Sequence, residues 1–186
     1  MKDNLMKHSR CFLAYNRLKK TTIKNIVMAN WCSNWVTVEG KEANVSSLME
    51  EVNALSVQAI REHRGVRPSE IGDLRYMFFI YINNDDSFSF ESKWSPSNDS
   101  LQFLAKKYQV TIVNRYSELG CMVFGQWTGD GETEEDVWLT DEDWDLAVSG
   151  DEDGSYYTYE GKEYENEEEI LDIILDNKIN IVNDCY

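Results

Sequence analysis

The sequence contains few of the residues that build metal centres and disulfide scaffolds. It has four cysteines and two histidines among 186 residues, and the cysteines (Cys11, Cys32, Cys121 and Cys185) lie far apart with no CxxC pair. Disulfide scaffolds have denser cysteines, and zinc sites have ligands at short spacing. We therefore expect reduced thiols, a cytoplasmic protein, and no bound metal or other cofactor.

Two further shortages exclude broad classes of protein. With two prolines and ten glycines, the chain does not have the composition of a low-complexity linker. No segment approaches the roughly 18 consecutive apolar residues of a membrane span. A chain of this length suits one domain with an appendage and is long enough to bury a core.

Catalytic motifs are also missing. The sequence has no GxSxG turn, no phosphate-binding loop, no HExxH motif and no convincing Cys–His pair. Carboxylates are abundant, but an acid–base pair requires one carboxylate whose pKa is raised by burial, and these lie in segments that look solvated. We expect a protein that acts by binding a macromolecule and is not an enzyme.

What the sequence has in excess is negative charge, concentrated in its last third. The net charge is −16; residues 1–27 carry +6, residues 28–128 carry −3, and residues 129–186 carry −19. Charge of this density repels nucleic acid and attracts basic surfaces. The alternative is that the acidic residues only maintain solubility.

Hydrophobic periodicity predicts an α+β domain. Strands are predicted near residues 31–38, 76–82, 87–94, 110–116 and 121–127, with helices over 43–64 and from about 98 to 108. This β-α-β-β-α-β order is the split βαβ arrangement of the ferredoxin-like fold, in which two helices cover one face of an antiparallel sheet. The last predicted strand is one extra hairpin strand. We assign 1–27 to a basic mobile arm and 28–128 to the ferredoxin-like domain.

Residues 129–186 are predicted to form an acidic extension that packs back on this domain. Residues 128–153 contain isolated apolar anchors, and Ser155–Tyr159 suits a short strand. Asn166 is placed to cap a helix that begins with three glutamates, which suit the positive end of the helix dipole. The apolar side of that helix indicates packing against the domain rather than a disordered tail.

Two segments resemble a known family. Residues 28–34 (MANWCSN) precede Val36, Val38 and Gly40, and the later motifs are Trp94-Ser95-Pro96, Arg115-Tyr116, Glu118, Gly120 and Phe124-Gly125-Gln126-Trp127. In this order they resemble the YubB-like ferredoxin-fold family of conjugative plasmids and phages. The resemblance covers about residues 28–128 and implies the same fold and an origin on a mobile element or phage. It implies no activity, and it leaves 1–27 and 129–186 outside the matched region.

Four tryptophans, Trp31, Trp35, Trp94 and Trp127, have two interpretations. They could form a surface on which nucleic-acid bases stack. The interpretation we favour is that they fill the core, because residues 28–128 are slightly acidic and a base-stacking sheet needs surrounding Lys and Arg.

A calcium-loop pattern occurs in the extension. Asp141, Asp143, Asp145 and Glu152 match positions one, three, five and twelve of the loop. Leu146 replaces the glycine that the turn requires, so we do not expect specific calcium binding. A calcium-stabilised structural module stays open as an alternative.

The acidic extension is the best candidate for a binding site. Carboxylates about 6.6 Å apart on a strand, or about 5–6 Å apart on a helix, can imitate the repeated charges of a nucleic-acid backbone, and aromatic residues can anchor such an interface. The candidate partner-binding residues are Asp130, Glu132, Glu134, Glu135, Asp136, Trp138, Asp141, Asp143, Trp144, Asp145, Asp151 and Asp153.

These residues predict an inhibitor of a basic, nucleic-acid-handling host protein, such as a defence nuclease or a CRISPR effector. It would occupy the channel that normally takes RNA or DNA, and direct nucleic-acid binding is not expected. The alternative is a nucleic-acid-binding accessory protein of a mobile element, which would use the basic arm and the aromatic residues of the sheet.

Overall fold

The structure is a computed structural model that describes residues 30–69, 74–149 and 156–184. Within these ranges six strands form one antiparallel sheet in the order β2-β3-β1-β4-β5-β6. They are β1 (Trp31–Glu39), β2 (Phe78–Asn84), β3 (Ser87–Lys93), β4 (Thr111–Glu118), β5 (Val123–Gly129) and β6 (Glu134–Trp138). Helix α1 (Glu42–Glu62) connects β1 to β2, and α2 (Asn98–Tyr108) connects β3 to β4. The predicted ferredoxin-like α+β fold is confirmed.

The first core lies between one face of the sheet and helices α1 and α2. Alternate residues of β1 are buried, as predicted from their period of two. Leu48 and Val52 of α1 and Leu101 and Leu104 of α2 are fully buried against this face. The largest side chain in the core is Trp127 of β5, which is 1% exposed.

A hydrogen-bonded amide pair lies inside the first core. Asn114 Nδ2 of β4 donates to Asn34 Oδ1 of β1 at 3.1 Å and to Asn98 Oδ1 of α2 at 3.0 Å. Asn34 Nδ2 in turn donates to the Cys32 carbonyl at 2.8 Å and to Ser92 Oγ at 2.9 Å. These hydrogen bonds provide partners for polar groups whose burial would otherwise be costly. They also join the start of α2 to the central strands β1 and β4.

The acidic extension continues the sheet and covers part of its other face. Helices α3 (Asp141–Trp144) and α4 (Glu167–Asn183) follow β6, with short strands β7 (Val148–Ser149), β8 (Tyr157–Tyr159) and β9 (Lys162–Tyr164) between them. A second core joins Phe124 of β5 to Leu139, Trp144, Ile170, Leu171, Ile174 and Leu175. The Asn166 side chain accepts from the Glu169 amide at 3.0 Å, which confirms the predicted cap of α4.

Two expectations need correction, and others lie outside the described residues. The prediction of isolated apolar anchors over 128–153 misses β6, because three consecutive acidic residues have low strand propensity. Cys121 is disulfide-bonded, so the expectation of reduced thiols is wrong at that position. Cys32 is free, and burial raises the pKa of its thiol to about 12. Residues 1–27, Asp151, Glu152 and Asp153 lie outside the described ranges.

No helix in the described residues is long and apolar enough to cross a membrane.

Candidate functional site

The described candidate residues follow one another along one side of the molecule, which we call the acidic edge (residues 130–145). It consists of the turn 130–133, strand β6 and helix α3. Strand β6 is the last strand in the sheet order of the described residues. Residues 129–149 contain nine acidic residues and no basic residue. The positive charges nearest to these carboxylates therefore come from other elements of the fold.

The turn that leads into β6 is stabilised by hydrogen bonds to the side chain of its first residue, Asp130. Asp130 Oδ1 accepts from the amides of Glu132 at 2.9 Å and Thr133 at 2.7 Å. These hydrogen bonds lower the pKa of Asp130. Gly131 has a φ of 92° and lies against α2, where an added Cβ would come within 2.3 Å of Lys106 Cα. The conformation of the turn is therefore fixed. Glu132, which follows Gly131 in the turn, forms an exposed ion pair with Lys106 at 3.0 Å.

Strand β6 uses two of its carboxylates internally. Glu134 Oε2 accepts from Trp127 Nε1 at 3.0 Å, and Asp136 Oδ1 accepts from Tyr116 Oη at 2.7 Å. Burial raises the pKa of Tyr116, and the negative charge of Asp136 raises it further. Glu135 points to the opposite face from these two and is exposed.

Helix α3, which ends the acidic edge, contacts α4 through an ion pair and through the second core. Asp143 Oδ2 accepts from the Thr140 amide at 2.7 Å and from Thr140 Oγ1 at 3.0 Å, which completes a capping box. The same carboxylate forms an ion pair with Lys178 of α4. Trp144 is buried in the second core against Phe124. The structure thus gives Asp143 and Trp144 internal roles.

The remaining candidates present their side chains to solvent. Trp138 is 44% exposed, and the carboxylates of Glu132, Glu135, Asp141 and Asp145 are exposed as well. Helix α3 and the fixed turn hold them on a short stretch of backbone at the end of the sheet. This arrangement can attract a cationic surface.

The calcium-loop pattern is not realised as a loop in the described residues. Asp141–Trp144 is helical, and the Asp143 carboxylate is held by Lys178. Across residues 30–69, 74–149 and 156–184, no group of three His, Cys, Asp or Glu side chains is placed to hold a metal ion.

The Asp143–Lys178 ion pair gives a prediction for stability against pH. Burial raises the pKa of Asp143, but the hydrogen bonds from Lys178 and Thr140 outweigh it and leave the pKa below its ordinary value. A carboxyl group with a lowered folded-state pKa stabilises the fold above its unfolded pKa of about 3.9, and this contribution is lost as the pH falls further. We expect Asp143→Asn to lower the free energy of unfolding by about 1 kcal/mol at pH 7.

Urea unfolding at pH 7 and at pH 3 measures this effect. The difference between wild type and Asp143→Asn should shrink at pH 3, because the carboxyl group of Asp143 is then largely protonated in the unfolded state and part of the contribution of the ion pair is lost. Asp145→Asn is the matched control, because Asp145 is exposed at the end of the same helix and should change stability by less than about 0.5 kcal/mol. Equal effects of both substitutions at pH 7 would contradict the assigned role of the ion pair.

The tryptophans divide between the two faces of the sheet. Trp127 is in the first core and Trp94 is half-buried, whereas Trp31 is 39% and Trp35 is 46% exposed on the face opposite that core. The expectation of a core role is therefore wrong for Trp31 and Trp35. Sequence reasoning also missed three aromatic residues beside them on β2. We call this surface the aromatic face: Trp31, Trp35, Phe78, Phe79 and Tyr81.

Comparison with known proteins supports the ferredoxin-like assignment. The model of the family described as "Ferredoxin-like domain in Api92-like protein" matches residues 77–174, from just before β2 to the middle of α4. The match extends past residue 128 and so includes most of the acidic extension, which the YubB-like resemblance leaves outside. No curated protein matches the chain significantly, and no solved structure does. Because the matched segment covers more than half of the sequence, the chain belongs to this family of ferredoxin-like domains in Api92-like proteins.

Proposed function

We propose that this protein binds and inhibits a basic, nucleic-acid-handling host protein without catalysing a reaction. The observation that carries the proposal is the acidic edge, where exposed carboxylates follow one another on a fixed turn, an outer strand and a capped helix. The YubB-like resemblance adds an origin on a phage or other mobile element. A defence nuclease or CRISPR effector is the kind of partner that such a protein would meet.

The placement of the carboxylates favours binding over a role in solubility alone. Solubility requires charge anywhere on the surface, but here the nine acidic residues of 129–149 have no basic residue among them. Hydrogen bonds to the Asp130 and Asp143 carboxylates fix the backbone of the turn and of α3, which carry exposed carboxylates of the acidic edge. A preorganised charged surface loses less conformational entropy on binding than a flexible acidic tail.

The proposed inhibition works by competition for a cationic channel. Carboxylates of the acidic edge would take the positions of phosphates on the basic surface of the partner. Trp138, which is 44% exposed on the same strand, would supply an aromatic anchor at the interface. Because these contacts are electrostatic and partly exposed, the complex should weaken as the salt concentration rises.

The experiment that tests the function is a tagged capture from host lysate with the full-length protein. Nuclease treatment removes complexes bridged by nucleic acid, and a salt gradient elutes the bound protein. The proposal requires a stoichiometric basic protein that survives nuclease, elutes with salt and, once purified, is displaced by its own RNA or DNA. Capture of nucleic acid alone would contradict it.

A charge-matched comparison assigns the interface. The triple variant Glu135→Gln, Asp141→Asn, Asp145→Asn removes three exposed carboxylates from the acidic edge. Since exposed ion pairs contribute about 0.2–1 kcal/mol each, we expect the dissociation constant for the purified partner to rise about tenfold at 150 mM salt. Calorimetry or surface plasmon resonance measures the change.

The control removes the same number of charges elsewhere. Glu50→Gln, Asp85→Asn, Asp86→Asn changes three exposed acids, one on α1 and two in the β2–β3 turn. This variant has the same net charge as the first and should bind the partner like wild type. Equal weakening by both variants would show a general charge effect and would remove the acidic edge as the interface.

A further inference from the structure

The half of the sheet farthest from the acidic edge exposes aromatic rings on one face. Residues of β1 alternate, so Trp31, Ser33 and Trp35 point away from the first core. Helix α4 packs on this face at β5 and β6, while Trp31, Trp35 and Tyr81 remain 39%, 46% and 64% exposed. Large aromatic side chains are usually buried, so the exposure of several in one group indicates a binding surface.

Helix α4 places a row of carboxylates along one border of the aromatic face. Glu168, Asp172 and Asp176 follow one another at intervals of four residues, so their side chains lie on one side of the helix. That side faces β4, because Ser117 Oγ donates to Glu168 at 3.3 Å. The Arg115 guanidinium of the same strand pairs with Asp172 and Asp176. The carboxylates therefore lie next to the strand that neighbours β1.

The Arg115 guanidinium does not neutralise this row. Burial raises the pKa of Asp172, and the negative charges of Asp176 and Glu168 raise it further, although the charge of Arg115 opposes them. The three carboxylates thus repel one another. A further cation on this side of the sheet would reduce that repulsion.

Trp35 lies between the carboxylates of α4 and one on β3. Its cross-strand neighbour on β4 is Arg115, which α4 engages. On β3 its direct neighbour is Ser89, and Glu91 is a diagonal neighbour at about 7–8 Å. Ser33 Oγ donates to Glu91 Oε1 at 3.0 Å, which keeps this carboxylate on the aromatic face. A cation stacked on the Trp35 indole would therefore have carboxylates on both sides.

Lys93 shows how a cation packs on this face. Its Nζ lies 5.9 Å from the centre of the Trp31 ring and 5.2 Å from that of Phe78. The Trp31 ring is also held edge-to-face by Phe78 and Phe79, at centroid distances of 5.1 and 5.4 Å. Trp31 thus already has a cation of the protein beside it, and Trp35 is the indole that a ligand would reach.

We propose that the aromatic face binds an arginine-containing basic segment of a protein partner. A guanidinium stacks on Trp35 and pairs with neighbouring carboxylates such as Glu91. Arginine suits this position better than lysine, because its planar group stacks on an aromatic ring while its N–H groups donate to carboxylates. The proposal goes beyond the function proposed above and does not depend on it, since this surface is separate from the acidic edge.

Charge complementarity decides between a basic and an acidic occupant. Among the described residues, the charged groups placed on this face are four carboxylates and two cations, namely Glu91, Glu168, Asp172 and Asp176 against Lys93 and Arg115. A surface with this excess of negative charge attracts a cationic segment and repels the phosphates of nucleic acid.

Fluorescence anisotropy with the full-length protein at 150 mM salt tests the proposal. The probe is a labelled synthetic peptide of four Gly-Ser-Arg repeats, and the comparison is the same peptide with lysine in place of arginine. We expect the arginine peptide to bind about threefold more tightly than the lysine peptide. Trp35→Ala should lower its affinity about fivefold, and Trp35→Tyr should retain most of it because a ring remains. Glu91→Gln should lower it about threefold.

Two controls match these variants in side chain and charge. Glu50→Gln removes one exposed carboxylate from α1 and should leave the affinity unchanged. Trp138→Ala removes an indole of similar exposure, 44%, from the acidic edge, and should also leave the affinity unchanged. The triple variant of the acidic edge should bind the peptide like wild type, which keeps a failure of this proposal distinct from a failure of the proposed function. Far-UV circular dichroism checks that each variant is folded.

The remaining outcomes contradict the proposal. It is overturned by the absence of peptide binding, by equal affinity for the two peptides, or by binding that neither Trp35→Ala nor Glu91→Gln weakens. Weakening by Trp138→Ala or by the triple variant, without weakening by Trp35→Ala, would place the peptide on the acidic edge. Binding of oligo(dT), or self-association of the protein, that Trp35→Ala abolishes would make nucleic acid or a second copy the occupant and would also overturn the proposal.

Discussion

Replacing Trp127 with alanine should lower the free energy of unfolding by about 4 kcal/mol, within the range of 3–5 kcal/mol measured for buried aromatic residues. Trp127 is the largest buried side chain of the first core and is 1% exposed. Its removal leaves a cavity beneath α2 and takes away the donor of the 3.0 Å hydrogen bond to Glu134. Urea unfolding followed by far-UV circular dichroism measures the loss.

A second tryptophan on the neighbouring strand serves as the control. Trp138→Ala removes the same side chain from β6, where it is 44% exposed, and should cost less than about 1 kcal/mol. Trp127→Phe should lie between the two, because it keeps a ring in the core but loses the hydrogen bond. If Trp127→Ala cost no more than Trp138→Ala, Trp127 would not be a core residue.

Leu171→Ala should destabilise the protein by about 3 kcal/mol. Leu171 of α4 is fully buried against Phe124 and Trp144, so the substitution opens a cavity in the second core. Phe124 and Trp127 lie on opposite faces of the same strand, β5, and this strand belongs to both cores. We therefore expect one cooperative transition in which fluorescence and circular dichroism report the same midpoint.

The control for this prediction lies on the same helix. Ile181→Ala changes a side chain of α4 that is 66% exposed and should alter stability by less than about 0.5 kcal/mol. A wild-type level of stability in Leu171→Ala would mean that α4 does not support the fold. Two separate transitions would mean that the acidic extension unfolds independently of the ferredoxin-like domain.

Periodicity in the sequence was sufficient to predict the ferredoxin-like order. The spacing of Leu48, Val52 and Leu55 predicts α1, and the alternation in β1 identifies its buried side. Strand β6 was not predictable in the same way, because Glu134, Glu135 and Asp136 have low strand propensity. Their pairing with β5 depends on tertiary contacts such as the Tyr116–Asp136 hydrogen bond.

The sequence indicates the acidic region that contains the candidate site, but not the roles of its residues. Charge density is high across residues 129–186 and does not by itself single out the acidic edge. It cannot distinguish Asp143, which Lys178 of a distant helix engages, from Asp145, which is exposed two residues later. The sequence pattern also cannot show that Trp31 and Trp35 are exposed, because their exposure depends on where α4 packs. Helix α4 contacts this face of the sheet at β5 and β6 and leaves the two tryptophans on β1 exposed.

The two outer strands of the sheet also bear on self-assembly. A wide sheet with free edges invites a second copy to add its own strand. Strand β2 has register shifts and a positive φ of 48° at Phe79, which interrupt the regular backbone that such an addition would need. Strand β6 carries three consecutive carboxylates, whose mutual repulsion would oppose pairing with another β6. The irregular backbone of β2 and the carboxylates of β6 should therefore both oppose polymerisation of this protein through its sheet.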